Sequence, residues 1–310
     1  MDLYSIGEML IDFVPGREPG SYIRNAGGAP ANLAIAAARN GLETAMCCSV
    51  GDDDFGRFLL ATLEENGVRC VRQAPCREAV TTMAFITLSE EGERSFTFAR
   101  KPGADMFIRE EDVREEDIRE TVIVHAGSCS LSASPVAEAT AKALRLGREL
   151  GKLVSFDLNY RDMMWNGRPE ACAAKVREIL PYVDLLKVAD DEVSVLGGEE
   201  ALPGLMERYG LTLVVETLGS QGAVGFFRGE RIPIASRSAR CVDATGAGDA
   251  FWGGLLSMLR FRGVTSAAQL TAPLVREAMT YGNVGGWLCI QGLGAIPSLP
   301  TRQEIEAHLV

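Results

Sequence analysis

"CVDATGAGDAFWGGLL", residues 241–256, joins a run of small residues to an apolar segment of helical period. Gly246, Ala247 and Gly248 carry almost no side chain, so the backbone there can turn sharply and bring its N–H groups within bonding distance of an anion. Phe251, Leu255 and Leu259 then stand one turn apart, as do Trp252 and Leu256. The turn therefore opens a helix, whose free N–H groups and roughly half a positive charge favour a negative group at its start. Asp249 sits at that start, and two readings of it are open. It is an N-terminal cap, or it is a base for an alcohol whose oxygen attacks a phosphoryl group held by residues 246–248. Near a helix start a carboxylate is expected to keep a low pKa, which suits a proton acceptor in a loose transition state.

Working outward, strand-like stretches alternate with longer segments of helical period. The strand set is "LYSIGEMLIDFV", taken as one strand, then "TAMCCSV", "TVIVHAG", "KLVSFDLN", "DLLKVA" and "LTLVVETLG". The helical set is "PANLAIAAARNG", with Pro30 near its start and Gly41 past its end, "FGRFLLATLEENGV", "PVAEATAKALRLGRELG" and "RPEACAAKVREIL". This βαβ order predicts an α/β chain with a mostly parallel sheet and helices on both faces. Connections are short and no low-complexity linker interrupts them, so residues 1–310 are expected to form a single domain. Residues 81–100, "TTMAFITLSEEGERSFTFAR", break the alternation: they read as two strands joined by a polar turn around Glu91 and Gly92, a lid, an oligomer contact or a sheet extension. A second hairpin around Arg228 and Gly229 reads as plain sheet edge.

Composition removes several function classes. A net charge of −11 leaves no basic surface for nucleic acid or an anionic membrane. The amino-terminal stretch has no basic n-region and carries Glu8 and Asp12 where a signal peptide is apolar, and no apolar run approaches the roughly 18 residues of a membrane span, so a cytoplasmic protein is expected. Eight cysteines without a CxxC pair read as buried thiols. The two histidines rule out a His-rich metal site; His125 reads as a structural strand-end residue and His308 as solvated in a C-terminal helix, so base chemistry falls on a carboxylate. No G-x-x-x-x-G-K-[ST] occurs, and Phe251 takes the place of the third glycine of a dinucleotide turn, which argues against a P-loop protein and a nicotinamide dehydrogenase.

Ten motifs in order carry a family resemblance. They are "GEMLIDFVP" (7–15), "GGAPANLAIAAARNG" (27–41), "GDDDFG" (51–56), "FARKPGADM" (98–106), "HAGSCSL" (125–131), "FDLNYR" (156–161), "KVADDE" (187–192), "TLGSQG" (217–222), "DATGAGDAF" (243–251) and "GAIPSLPT" (294–301). With these the chain resembles the ribokinase-like, or PfkB, carbohydrate kinases over its full length, and within them the fructokinases. The resemblance implies a ribokinase-like three-layer fold with a small β lid built from residues of about 13–25 and 81–105. It implies ATP-dependent phosphorylation of a sugar, fructose to fructose 6-phosphate, with Asp249 as the base and Gly246, Ala247 and Gly248 as the anion hole.

The same resemblance assigns Asp12, Gly28, Asn32, Arg100 and Arg161 to the sugar. Carboxylate and carboxamide groups suit hydroxyls, and glycine permits close approach, although Asn32 alone reads as an ordinary polar residue of a helix's first turn. It assigns Lys187, Thr217, Gly219, Gly222 and Asn283 to ATP. Glu192 is implied at Mg²⁺ through water, with Ala189 standing where many members have asparagine. A monovalent cation, usually K⁺, is implied near the backbone of Asp243 and Thr245 and the turn at Gly292 and Gly294. The expected partners are sugar and ATP, with a homodimer through the lid. An acidic sugar, 2-keto-3-deoxygluconate, is the alternative substrate, because Arg100 and Arg161 suit a carboxylate. A non-catalytic binding module on the same fold is the alternative from another class.

Overall fold

A computed structural model describes the chain apart from Arg17, Pro19, Gln73, residues 89–93 and Val310. Its strands are β1 (Leu3–Ile6), β2 (Leu10–Pro15), β3 (Tyr22–Gly27), β4 (Thr44–Cys47), β5 (Val68–Cys70), β6 (Met83–Leu88), β7 (Arg94–Ala99), β8 (Ile123–Gly127), β9 (Leu153–Asp157), β10 (Leu185–Ala189), β11 (Leu213–Thr217), β12 (Ala223–Phe227) and β13 (Glu230–Ile234). Nine of them form one sheet in the order β13-β12-β11-β10-β9-β8-β1-β4-β5. Neighbours from β11 to β5 run parallel, and β12 and β13 add an antiparallel edge. That edge is the hairpin expected around Arg228 and Gly229.

The helices are α1 (Ala29–Arg39), α2 (Asp54–Glu65), α3 (Glu115–Arg119), α4 (Val136–Glu149), α5 (Pro169–Ile179), α6 (Leu202–Tyr209), α7 (Ala247–Phe261), α8 (Ala272–Cys289), α9 (Ala295–Ser298) and α10 (Arg302–Glu306). Side chains alternate across each strand, so a strand buried on both faces feeds two cores. Leu3, Ile123, Leu153, Leu185 and Leu213 pack with α1, α2, α7 and α8. Their chain neighbours Tyr4, Val124, Val154, Leu186 and Val214 pack with α4, α5 and Leu202 of α6 on the other face. The helix starts follow the expected chemistry: Pro30 lies in the first turn of α1, and Asp53 caps α2 by accepting from Gly56 N at 2.7 Å.

"LYSIGEMLIDFV" is two strands in two sheets. Gly7 interrupts it, and β2 leaves the large sheet to join a four-stranded sheet in the order β3-β2-β6-β7. This is the expected lid region; its sheet takes in residues 10–27 and 83–99. The turn expected around Glu91 and Gly92 lies outside the described residues. Phe13 of β2 stacks on Phe85 of β6 at 4.9 Å and meets Phe55 of α2 edge-on at 5.6 Å, while Arg24 of β3 lies 3.8 Å over the ring of Phe58. Aromatic and cation–π contacts thus seat the small sheet on α2. Tyr22 and Ile23 of β3 stay exposed.

Two side-chain expectations change. Six cysteines are buried, but Cys70 is partly exposed and Cys241 exposed. His308 lies just beyond α10, against Trp287. His125 is buried and structural as expected, but it lies in the middle of β8, not at its end: its Nδ1 lies 3.0 Å from Ser155 Oγ, and burial, aided by Lys187, depresses its pKa to about 3. No helix among the described residues is long and apolar enough to cross a membrane.

Candidate active site

The carboxyl ends of the parallel strands converge on the start of α7. Gly246 enters that helix at φ +83, a backbone angle side-chain-bearing residues seldom adopt, and a Cβ there would lie 2.7 Å from that of Ala295. A Cβ on Gly248 would come within 3.2 Å of Lys187 Nζ. The turn therefore keeps its bare backbone because both walls are occupied; Ala247 N, the first amide of α7, donates to the carbonyl of Ala244 at 3.2 Å.

Asp249 follows in the first turn of α7, and Asn32 Nδ2 of α1 donates to its Oδ2 at 2.8 Å. Two contacts hold α7 in place. Trp252 Nε1 donates to Ser155 Oγ at 2.8 Å, tying α7 to β9. On its other faces, glycines remove the side chains that would keep backbones apart. A Cβ at Gly253 would lie 2.8 Å from Ala36 Cβ of α1, one at Gly285 would lie 3.0 Å from the carbonyl of Ala250, and one at Gly282 would collide with the carbonyl of Phe251. A seam of glycines thus lets α7 and α8 meet backbone to backbone.

The expectation of a low pKa for Asp249 is corrected. Burial and then the negative charge of Asp157 push it up to about 6, against the hydrogen bond from Asn32 and the charges of Lys187 and Arg161. A helix start acts only over its first turn, and here desolvation exceeds it. Asp157, at the end of β9, accepts from Lys187 Nζ with both oxygens, at 3.0 and 2.9 Å. Both side chains are almost wholly buried. Lys187 is thereby held as a fixed cation against the turn at Gly248. Asp157 was missed among the site residues, although an acid at the carboxyl end of a parallel strand was a readable signal.

Asp12 lies on β2 opposite Asn25 of β3, and Gly27 leaves the room its carboxylate occupies. Burial raises its pKa to about 6, with Arg161 opposing and Asp243 reinforcing. Gly28 begins α1 at φ +113, packed on the Glu8–Met9 backbone, and its carbonyl accepts from Asn32 N at 2.8 Å. Arg161 is half exposed and donates to Glu192 Oε1 at 3.2 Å, while Glu192 Oε2 accepts from Ala189 N. Arg100 is placed differently from a free ligand. It is clasped by Asp105 at 2.8 Å through two nitrogens and by Ser132 Oγ at 3.1 Å. Beside it, burial lifts the pKa of Glu8 to about 7.

The remaining positions form a second cluster along the same edge. Thr217 ends β11 and its carbonyl accepts from Asp190 N, which joins it to the loop that carries Glu192. Gly219 and Gly222 bracket the short turn into β12, and Gly222, at φ +103, packs against the Ile234–Ser236 backbone. Asn283 donates to the carbonyl of Ala235 at 3.0 Å. Asp243 staples two loops: it accepts from Thr245 N and Oγ1 at 3.0 and 2.7 Å and from Gly294 N at 3.0 Å. Among the described residues no cluster of three or more His, Cys, Asp or Glu side chains is placed to hold a metal ion.

A family model described as "pfkB family carbohydrate kinase" matches residues 2–302. Fructokinase-1 of Oryza sativa subsp. japonica is 39% identical over 312 residues, covering 97% of this chain and 95% of that protein. Among solved structures, fructokinase with bound ATP from Xylella fastidiosa superposes with a TM-score of 0.92 at 29% identity, over 99% of this chain and 97% of that one. A double-mutant fructokinase from Vibrio cholerae, bound to fructose, ADP and potassium ion, superposes with a TM-score of 0.90 at 31% identity, over 100% and 98% of the two chains.

Proposed function

Because the chain belongs to the pfkB family of carbohydrate kinases, we propose that it transfers the γ-phosphoryl group of ATP to the terminal hydroxyl of fructose, giving fructose 6-phosphate. The observation that carries this reading is the pairing of Asp249 with the bare turn at Gly246, Ala247 and Gly248, in a chain similar to fructokinases over nearly its whole length. Asp249 takes the proton of the attacking hydroxyl. A pKa of about 6 leaves it ionised at neutral pH, yet a better acceptor than an ordinary carboxylate. The backbone of the 246–248 turn, through the amides of Gly246 and Gly248 with Lys187 behind them, receives the charge of the phosphoryl oxygens. Asn32 fixes the rotamer of Asp249, and Asp12 accepts from sugar hydroxyls.

ATP lies along the edge marked by Thr217, Gly219, Gly222 and Asn283, where Gly222 has no room for a side chain. Hard oxygen donors suit magnesium, which keeps most of its waters and enters with the nucleotide phosphates; Glu192 is the carboxylate that would hold it, through water. Bound there, the ion neutralises phosphate charge. The loops stapled by Asp243 suit a potassium ion at the backbone of Asp243 and Thr245. The chain acts as one domain whose small sheet closes over the sugar and excludes water from ATP. It works in the cytoplasm, and the exposed Tyr22 and Ile23 favour a homodimer through that sheet, which light scattering tests.

The neutral ketose is preferred over 2-keto-3-deoxygluconate because Arg100 already has its carboxylate partner in Asp105. A coupled ADP-release assay across fructose, 2-keto-3-deoxygluconate, ribose, tagatose 6-phosphate and nucleosides tests the assignment. Turnover should be greatest with fructose. Preference for the acidic sugar would transfer the assignment to that substrate, and no sugar-stimulated turnover would leave a binding module.

A further inference from the structure

Cys48 and Cys70 place their sulfur atoms 3.9 Å apart. Cys48 directly follows β4, and Cys70 ends β5, whose register pairs it with Met46. Two residues along a strand the side chain returns to the same face, so Cys48 lies diagonal to Cys70 on the face covered by α1 and α2. Cys47 points to the opposite face, and burial pushes its thiol up to about 12.

The two sulfurs are chemically unequal. Cys48 is buried, whereas Cys70 is partly open to solvent on a three-residue edge strand. Cys70 Sγ also contacts the carbonyl of Arg72 at 3.4 Å. The hydrogen bond with Cys48, working against burial and assisted by the nearby Arg72 guanidinium, lowers the Cys70 thiol to about 7, while that of Cys48 is raised. One accessible thiol with thiolate character beside a sheltered partner is the arrangement of an attacking and a resolving cysteine.

We propose that Cys48 and Cys70 form a peroxide-reactive dithiol that closes reversibly to a disulfide. The Cys70 thiolate attacks a peroxide oxygen, so that an S–O bond forms, the O–O bond breaks and the departing hydroxide takes a proton to become water. Cys48 then gives up its proton and attacks the sulfenic sulfur; the S–S bond forms, the S–O bond breaks and a second water leaves. Two thiols are oxidised and one hydrogen peroxide is reduced to two waters. Closing from 3.9 Å to the about 2.05 Å of a disulfide needs an approach of about 1.9 Å, and β5, hydrogen-bonded on one side only, can supply it. The bridge would tie the sheet edge to the strand leading into the loop where Asp53 fixes Thr81 beside the foot of β6.

The test is peptide mapping of the full-length protein after brief treatment with hydrogen peroxide and alkylation of the remaining thiols. A linked pair of peptides carrying residues 48 and 70, lighter by two hydrogens and released by dithiothreitol, is expected in the wild type and in Cys47→Ser. Cys70→Ser should leave Cys48 fully alkylatable, and Cys48→Ser should leave a sulfenic acid at Cys70 that dimedone traps. Circular dichroism checks that the variants are folded; where one is not, the wild-type map decides. Free Cys48 and Cys70 after treatment, oxidation confined to Cys241, or passage of Cys70 to sulfinic acid without a link overturns the proposal.

Discussion

Replacing Asn32 by leucine removes the donor that lies 2.8 Å from Asp249 Oδ2 while keeping the branch at Cγ and adding bulk, so no space opens for a substituting water. A hydrogen bond to a charged group contributes about 1.5–3 kcal/mol, and a pKa unit corresponds to about 1.4 kcal/mol. Losing the bond should therefore raise the pKa of Asp249 from about 6 by about 1 to 2 pH units. A base works ionised, so activity present above its pKa is lost as the pH falls through it, and raising the pKa moves that loss upward. At pH 7 the ionised fraction falls from roughly nine-tenths to between about a tenth and a half. Asp157, Lys187 and Arg161, the other charged groups acting on Asp249, are untouched, as is the raised Asp12. The assay is kcat/KM for fructose between pH 5 and 9, whose acid limb reports the free enzyme. A limb that stays at the wild-type position in a folded Asn32→Leu protein refutes Asp249 as the ionising base.

Asp249→Asn should lower kcat by at least ~10² with an unchanged melting curve, and retained turnover would remove Asp249 from its role. Lys187→Met leaves Asp157 buried without its cation; urea titration should show a loss of about 3–5 kcal/mol, and a change within error would mean that the pair is dispensable to folding. Gly282→Ala drives a methyl group into the carbonyl of Phe251. It should cost about 1–3 kcal/mol and also slow turnover, because the helix it displaces carries Asp249; thermal melts and kcat measured together check both effects.

The helix after the glycine turn was legible because its period is written in consecutive residues, Phe251 to Leu259, and the parallel sheet was legible because its strands are apolar runs between helical segments. The break at Gly7 was not: both halves of "LYSIGEMLIDFV" are strand-like, and only pairing with β8 and β4 on one side and with β3 and β6 on the other separates them. The ordered motifs brought Asp12, Asn32, Arg161 and Asp249 to one place. The proton affinity of Asp249 depends on Asp157, 92 residues earlier (249 minus 157), and on burial, neither of which local spacing encodes. Arg100 looked available because its partner Asp105, five residues on, reads as part of a turn.

The glycine seam between α7 and α8 also bears on how this protein can change over generations. A methyl group at Gly254, Gly282 or Gly285 meets the backbone of the facing helix, so substitution at these positions is closed unless the helices move apart. The small sheet that carries Asp12 has a looser edge, where Tyr22 and Ile23 of β3 are exposed. The two parts of the molecule thus differ in evolvability: the glycine-lined helix that carries Asp249 is held to one solution, and the exposed positions of β3 are open to change.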